Sequence, residues 1–133
     1  MKVRIQENSL RLRLTQIEVR QLHDHSRVES AIEFAPGCSL VYSLEASVDA
    51  LRLAAEFDGH GIRVTLPQDV MKSWTQSDCV SIDAPSSTGP QLLIEKDFQC
   101  LHKPAEANTG AYPHPLARLV SAGGDDSGDL SAR

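Results

Sequence analysis

Apolar and polar residues alternate along the first part of the chain. Four stretches show this period of two: KVRIQ (2–6), LRLRL (10–14), RVESAIEF (27–34) and LVYSLEA (40–46). Such alternation is typical of half-buried β-strands. Between the second and third stretches, Thr15 is followed three residues later by Glu18, which is the capping-box pattern of a helix start. The pattern predicts the order strand, strand, helix, strand, strand.

The same order of residue classes returns when the chain is shifted by 52 residues, without a gap. The matched pairs include Arg11 and Arg63, Leu14 and Leu66, Leu22 and Trp74, Val28 and Val80, and Leu40 and Leu92. At the helix start Thr15 is matched by Pro67, and both residue types favour a helix N-terminus. The repetition predicts an internal duplication of about residues 1–46 as residues 53–98.

The duplicated unit predicts an α+β, mostly β fold with eight short strands and two short helices. We expect one eight-stranded antiparallel sheet that curls toward a barrel. Residues 1–103 are predicted to form a single β-rich domain, and residues 104–120 an ordered extension. Residues 121–133 are small, polar and acidic, so we expect a disordered tail.

One face of the predicted strands is apolar and is expected to form the core. Its members are Val3, Ile5, Leu10, Leu12, Leu14, Val28, Ile32, Leu40, Tyr42, Leu44, Leu53, Phe57, Ile62, Val64, Leu66, Val80, Ile82, Leu92 and Ile94. Burial of this face supplies most of the driving force for folding, at about 25 cal/mol per Å² of apolar area.

The opposite face of the strands collects arginine and lysine together with glutamate and aspartate. If this face points to solvent, it forms cross-strand ion pairs worth about 0.2–1 kcal/mol each. If it points inward, Arg11, Arg13 and Arg63 would bind phosphates, and Glu95 and Asp97 would bind magnesium, in a tunnel. The second arrangement resembles the triphosphate tunnel enzymes, which have a duplicated eight-stranded barrel. Their N-terminal ExExK motif is absent, because the first strand reads KVRIQ.

A second candidate site follows the last predicted strand. Cys100 and His102 are separated by one residue, and His114 lies a loop away beside two prolines. A thiolate and imidazoles are suitable zinc or copper ligands. The alternative is that Cys100 is a small buried residue at the strand end and that the prolines direct the chain away. The spacing leaves both interpretations open.

Composition narrows the classes of partner. The chain has 133 residues and a net charge of -5, which argues against nucleic-acid binding because no basic excess exists to displace counterions. No apolar run approaches the roughly 18 residues of a membrane helix. Three cysteines without a CxxC pair favour free thiols and a cytoplasmic location.

Several motifs together resemble a family of small uncharacterised bacterial proteins, a domain of unknown function. They are NSLRLRLTQ near the start, FAPG after the third strand, the Ser77–Asp78 pair before the seventh, LIEKDFQCL near the end, and NTGAYPHP. The resemblance covers residues 1 to about 115. It implies a bacterial cytoplasmic protein and no particular activity, substrate or cofactor.

The sequence predicts a non-enzymatic binding or interaction module with a protein or small-molecule partner, and neither a nucleic-acid nor a membrane partner. A free sheet edge would allow dimerisation. The alternative is a magnesium-dependent enzyme that acts on a phosphorylated small molecule.

Overall fold

The computed structural model describes residues 1–84 and 89–98, which contain eight strands and two helices. In chain order they are β1 (Lys2–Gln6), β2 (Ser9–Leu14), α1 (Gln16–His25), β3 (Arg27–Ala35), β4 (Cys38–Ser47), β5 (Ala54–Phe57), β6 (Gly61–Pro67), α2 (Gln68–Gln76), β7 (Ser81–Ala84) and β8 (Gln91–Lys96). The mostly β character and the two helices are therefore confirmed. The predicted boundary at residue 103, the extension and the tail lie outside the described residues.

The two helices begin differently. Thr15 is the N-cap of α1, and its hydroxyl accepts a hydrogen bond from the Glu18 backbone N–H while the Glu18 carboxylate accepts from the Thr15 backbone N–H. This is the predicted capping box. Helix α2 has Pro67 as its N-cap and no side-chain cap. The start of α1 is thus fixed by side-chain hydrogen bonds, whereas that of α2 depends on the proline geometry.

The strands form two four-stranded sheets, and this corrects the prediction of one antiparallel barrel-like sheet. The first sheet has the order β1-β2-β8-β7 and the second has the order β3-β4-β6-β5. Each sheet consists of two antiparallel hairpins joined by a parallel central pair, β2 with β8 and β4 with β6. A period of two is the same in parallel and antiparallel strands, so the alternation could not reveal the parallel pairs.

The two sheets have equivalent central rows of side chains. In the first sheet the row is Val3, Leu12, Ile94 and Ile82, and in the second it is Ala55, Val64, Leu44 and Val28. In these rows Val28 is equivalent to Ile82, whereas the shift of 52 residues pairs Val28 with Val80. The gapless shift therefore holds for the first hairpin and the helix of each half but not for the later strands. Across the two helices, His23 Nδ1 lies 3.2 Å from Thr75 Oγ1, a pair 52 residues apart.

Both sheets and both helices contribute to one hydrophobic core. Its buried members are Leu10, Leu12, Leu14, Leu22, Val28, Leu44, Leu53, Val64, Leu66, Met71, Trp74, Leu92 and Ile94. Four residues expected in the core are instead exposed: Ile5 by 65%, Ile32 by 48%, Phe57 by 68% and Val80 by 47%. Ile5, Ile32 and Phe57 lie toward the hairpin-turn ends of β1, β3 and β5. Val80 directly precedes β7.

Connectivity places the helices and the hairpin turns at opposite ends of the strands. β2 leads into α1 and β6 leads into α2, whereas the β1–β2, β3–β4 and β5–β6 turns lie at the other ends of these strands. All described residues fall in one unit, Met1–Phe98. Within them, neither helix has the length and apolar character that a bilayer crossing requires.

Candidate functional site

The outward face of β1 and β2 carries four cations. Val3 packs against the core while Leu10, Leu12 and Leu14 are buried in it, so the alternating residues of the two strands point to solvent. The hairpin register places Lys2 opposite Arg13 and Arg4 opposite Arg11. We call this set of four residues, Lys2, Arg4, Arg11 and Arg13, the basic cluster. Together with Val3 they line a pocket of about 220 Å³.

Strand geometry fixes the dimensions of the basic cluster. Residues two apart on one strand are about 7 Å apart, and directly opposite residues have Cα atoms about 4.5–5.5 Å apart. Like charges directly opposite each other destabilise a sheet. The hairpin contains two such rungs in succession, which is an arrangement that a purely structural surface would not favour.

Two carboxylates partly compensate the basic cluster. Glu95 on β8 accepts from Arg13 through Nη2 at 2.8 Å and Nε at 3.1 Å, and the same oxygen lies 3.6 Å from Arg11 Nε. Asp97 Oδ2 lies 3.3 Å from Lys2 Nζ. Arg4 has no ion pair among residues 1–84 and 89–98. In the described part of the chain, four cations against two carboxylates leave an excess of positive charge and of N–H donors.

The arginine-rich face is open, and this contradicts the tunnel. The side chains of Arg11 and Arg13 are 37% and 40% exposed, and they lie on the side of the first sheet that faces away from the core. The two sheets do not close into a barrel. An enclosed channel for triphosphate and magnesium therefore has no counterpart in the described part of the chain.

The structure brings Arg11, Arg13 and Glu95 together but places Arg63 elsewhere. Arg63 lies on the second sheet and pairs with Glu56 at 3.2 Å. It occupies the position that Arg11 has in the first sheet, since Arg63 follows Ile62 on β6 as Arg11 follows Leu10 on β2. A pattern of alternation assigns a residue to a face but not to a sheet, so the sequence could not separate Arg63 from Arg11 and Arg13.

The outward face of the second sheet has a different balance of charge. Its pocket, of about 260 Å³, is lined by Arg27 and Arg63 together with Glu45, Glu56 and Asp58. Arg27 pairs with Glu29 and Glu45. Hydrogen bonds from the His60 and Gly61 backbone N–H groups, both 2.8 Å, lower the pKa of Asp58. Because Arg27 and Arg63 are each paired with carboxylates, both arginines of this pocket are already neutralised.

The predicted zinc or copper ligands Cys100, His102 and His114 lie outside the described residues, so their role stays a prediction. Within residues 1–84 and 89–98, no group of three or more histidine, cysteine, aspartate or glutamate side chains is arranged to hold a metal ion. Cys38 and Cys79 are exposed free thiols.

Lys2 and Arg4 were missed as site residues, although the sequence held a signal for them. The turn at Glu7 and Asn8 fixes which residues of the first hairpin face each other. Counting back from that turn places Lys2 and Arg4 opposite the two arginines that alternation had already assigned to the same face.

The fold and the basic cluster define a small, mostly β protein with an exposed cationic site on one of its two sheets. The chain belongs to a family of unknown function, DUF7009, whose family model matches residues 1–116. The expected membership of an uncharacterised family is confirmed over this range. No curated protein and no solved structure shows significant similarity to the chain.

Proposed function

We propose that the protein is a non-enzymatic binding module that holds a small phosphate-bearing ligand on the basic cluster. The observation that carries this proposal is the pair of like-charge rungs, Lys2 opposite Arg13 and Arg4 opposite Arg11. An anion placed between these side chains relieves their repulsion and accepts their N–H donors. Binding therefore compensates a destabilising arrangement in the free protein.

The dimensions of the basic cluster favour a compact ligand with more than one negative charge. A rectangle of about 7 by 5 Å matches neighbouring phosphoryl groups better than a single monovalent anion. Arginine forks bind phosphate oxygens in a bidentate manner. The described residues that line the pocket are four cations and a valine. They supply electrostatic recognition, and none of them is a nucleophile or a general base near neutral pH.

A calorimetric titration of the full chain with inorganic pyrophosphate tests this proposal. We expect wild-type protein to bind pyrophosphate more tightly than orthophosphate, and both more weakly as ionic strength rises from about 0.01 to 0.15 M. The double variant Arg4→Gln with Arg11→Gln should bind at least about tenfold more weakly, since each lost charged hydrogen bond contributes about 1.5–3 kcal/mol.

Arg63→Gln is the matched control because Arg63 has the same position in the second sheet but is paired with Glu56. It should bind pyrophosphate like the wild type. The double variant should also melt at a higher temperature than the wild type without ligand at low ionic strength. Equal loss of binding in Arg63→Gln, or no binding by the wild type, would refute the site.

We also infer that the chain arose by internal duplication. The support is the equivalent order of the two sheets, the matching central rows and the position of His23 and Thr75.

We further propose a cytoplasmic location from the cysteine pattern. A zinc or copper site at Cys100, His102 and His114 remains a separate proposal, which a zinc titration of wild type and Cys100→Ala would test.

A further inference from the structure

An apolar cleft opens at the end of the strands that carries the hairpin turns. We call it the mouth, and its lining is Ile5, Glu7, Asn8, Ser9, Leu10, Ala55, Glu56, Phe57, Ile62 and Pro90. Its volume is about 360 Å³. It lies where edge strand β1 of the first sheet approaches edge strand β5 of the second. Ile5 and Phe57 remain 65% and 68% exposed there, so within residues 1–84 and 89–98 these two side chains lack apolar cover.

A two-stranded ribbon extends from the same end of the second sheet. β4 pairs with β6 only from Val41 onward, whereas β3 and β4 continue to pair with each other as far as Ala35 and Cys38. Among the described strands, none therefore pairs with the hairpin over residues 32–40, and we call these residues the arm. Residues 31–39 are all exposed.

The arm exposes large apolar side chains. Ile32 continues the side of β3 that carries the buried Val28, because alternate residues share a face. Phe34 lies at a bulge near the tip, between Glu33 and Ala35. These two side chains are 48% and 68% exposed. The face that belongs to the core thus continues into solvent along the arm.

No residue of the arm lines the mouth of its own chain. Each copy of the protein therefore presents an apolar projection and a separate apolar cleft at one end. Contiguous exposed apolar surface commonly marks a site of protein association. A second identical chain can supply the projection that fills the cleft and the cleft that covers the projection.

We propose that two copies of this chain form a two-fold dimer in which the arm of each copy packs into the mouth of the other. The two-fold symmetry closes the assembly, since every arm and every mouth is then occupied. The eight side chains contributed by Ile5, Ile32, Phe34 and Phe57 of both copies bury on the order of 800 Å². With the flanking backbone this reaches the roughly 1,000 Å² of a specific interface.

The charged groups beside the two surfaces give the dimer a distinct dependence on salt. Glu7 lines the mouth, and Glu33 lies on the arm. The other carboxylate of the mouth, Glu56, is paired with Arg63. Carboxylates on both surfaces repel each other, and salt screens this repulsion while the apolar contact persists. Dimerisation should therefore strengthen as ionic strength rises, which is opposite to the behaviour expected for phosphate at the basic cluster.

Analytical ultracentrifugation of the full chain over a range of concentrations tests the proposal. We expect a reversible monomer–dimer equilibrium for the wild type. Phe34→Ser on the arm and Phe57→Ser in the mouth should each weaken dimerisation by tenfold or more. Ile17→Ser is the control, because Ile17 is 75% exposed on α1 at the other end of the strands, and it should leave the equilibrium unchanged.

Mixing the two phenylalanine variants identifies the contact itself. A heterodimer of Phe34→Ser with Phe57→Ser retains one intact arm and mouth contact, whereas neither variant alone can form one. The mixture should therefore associate more strongly than either variant separately. A wild type that is monomeric at all concentrations, a dimer that both variants leave unchanged, or a mixture no stronger than its components would overturn the proposal. Circular dichroism of each variant checks that it is folded.

Discussion

Asp58 shows how one exposed side chain can control a turn. Its carboxylate accepts hydrogen bonds from the backbone N–H groups of His60 and Gly61. Gly59, which lies between Asp58 and His60, has a positive φ of 92°. These hydrogen bonds, with that from His60 the larger, lower the pKa of Asp58. The charged form is therefore favoured in the folded protein over the unfolded chain.

This lowered pKa predicts a dependence of stability on pH. A depressed carboxyl pKa contributes stability that is present above the unfolded-state pKa and is lost as pH falls through the folded-state pKa. Asp58→Asn should be less stable than wild type near neutral pH, and the difference should shrink in acid. Thermal melts of both proteins across the acid range measure it. A difference that stays constant with pH would contradict this role of the carboxylate.

At the residue scale, the candidate site was partly accessible from sequence. Alternation placed Arg11, Arg13 and Glu95 on the charged face, and the structure brings them together. Asp97 was grouped with them but contacts Lys2 instead. The sequence could not separate Arg63 from Arg11 and Arg13, because a local pattern indicates the face of a strand whereas membership of a sheet depends on pairing between distant strands.

At the scale of elements, the hairpins and helices follow from local signals and the sheets do not. The tight turns and the capping box act over a few residues, so they are readable from a short window of sequence. The parallel pairs β2 with β8 and β4 with β6 join strands that are distant in the chain. Tertiary packing of apolar faces selects these pairs, and no local pattern distinguishes them from antiparallel ones.

The capping box at α1 permits a prediction at this scale. Thr15→Ala removes the hydroxyl that accepts from the Glu18 backbone N–H, and the free energy of unfolding should fall by about 1 kcal/mol. That loss corresponds to a melting temperature lower by several degrees. Gln16→Ala, at an exposed neighbouring position, is the control and should change little. Equal effects of the two substitutions would show that the cap contributes no specific stability.

At the scale of the whole molecule, neither half of the chain contains a complete sheet. β1, β2, β3 and β4 come from the first half, yet β1 and β2 need β8 and β7, while β3 and β4 need β6 and β5. An isolated pair of strands is marginally stable in water. Residues 1–52 alone should therefore lack a cooperative thermal transition.

Circular dichroism of residues 1–52, alone and mixed with residues 53–98, measures this dependence. We expect the first fragment to be largely unfolded at low concentration and the mixture to regain strand and helix signal. A fragment that folds alone as a monomer with a sharp melt would contradict the interdependence of the two halves.

The ion pair between Lys2 and Asp97 brings the first and last parts of the described unit within 3.3 Å. A short linker from Phe98 to Met1 would therefore close Met1–Phe98 into a ring, with loss of the ion pair between the Met1 ammonium group and Glu18. The ring could be reopened at Pro36 and Gly37, in the exposed turn of the arm. Such a circular permutant would begin with β4 and end with β3 while retaining every strand pair. The same two sheets can therefore form from chains in which the strands follow one another in a different order.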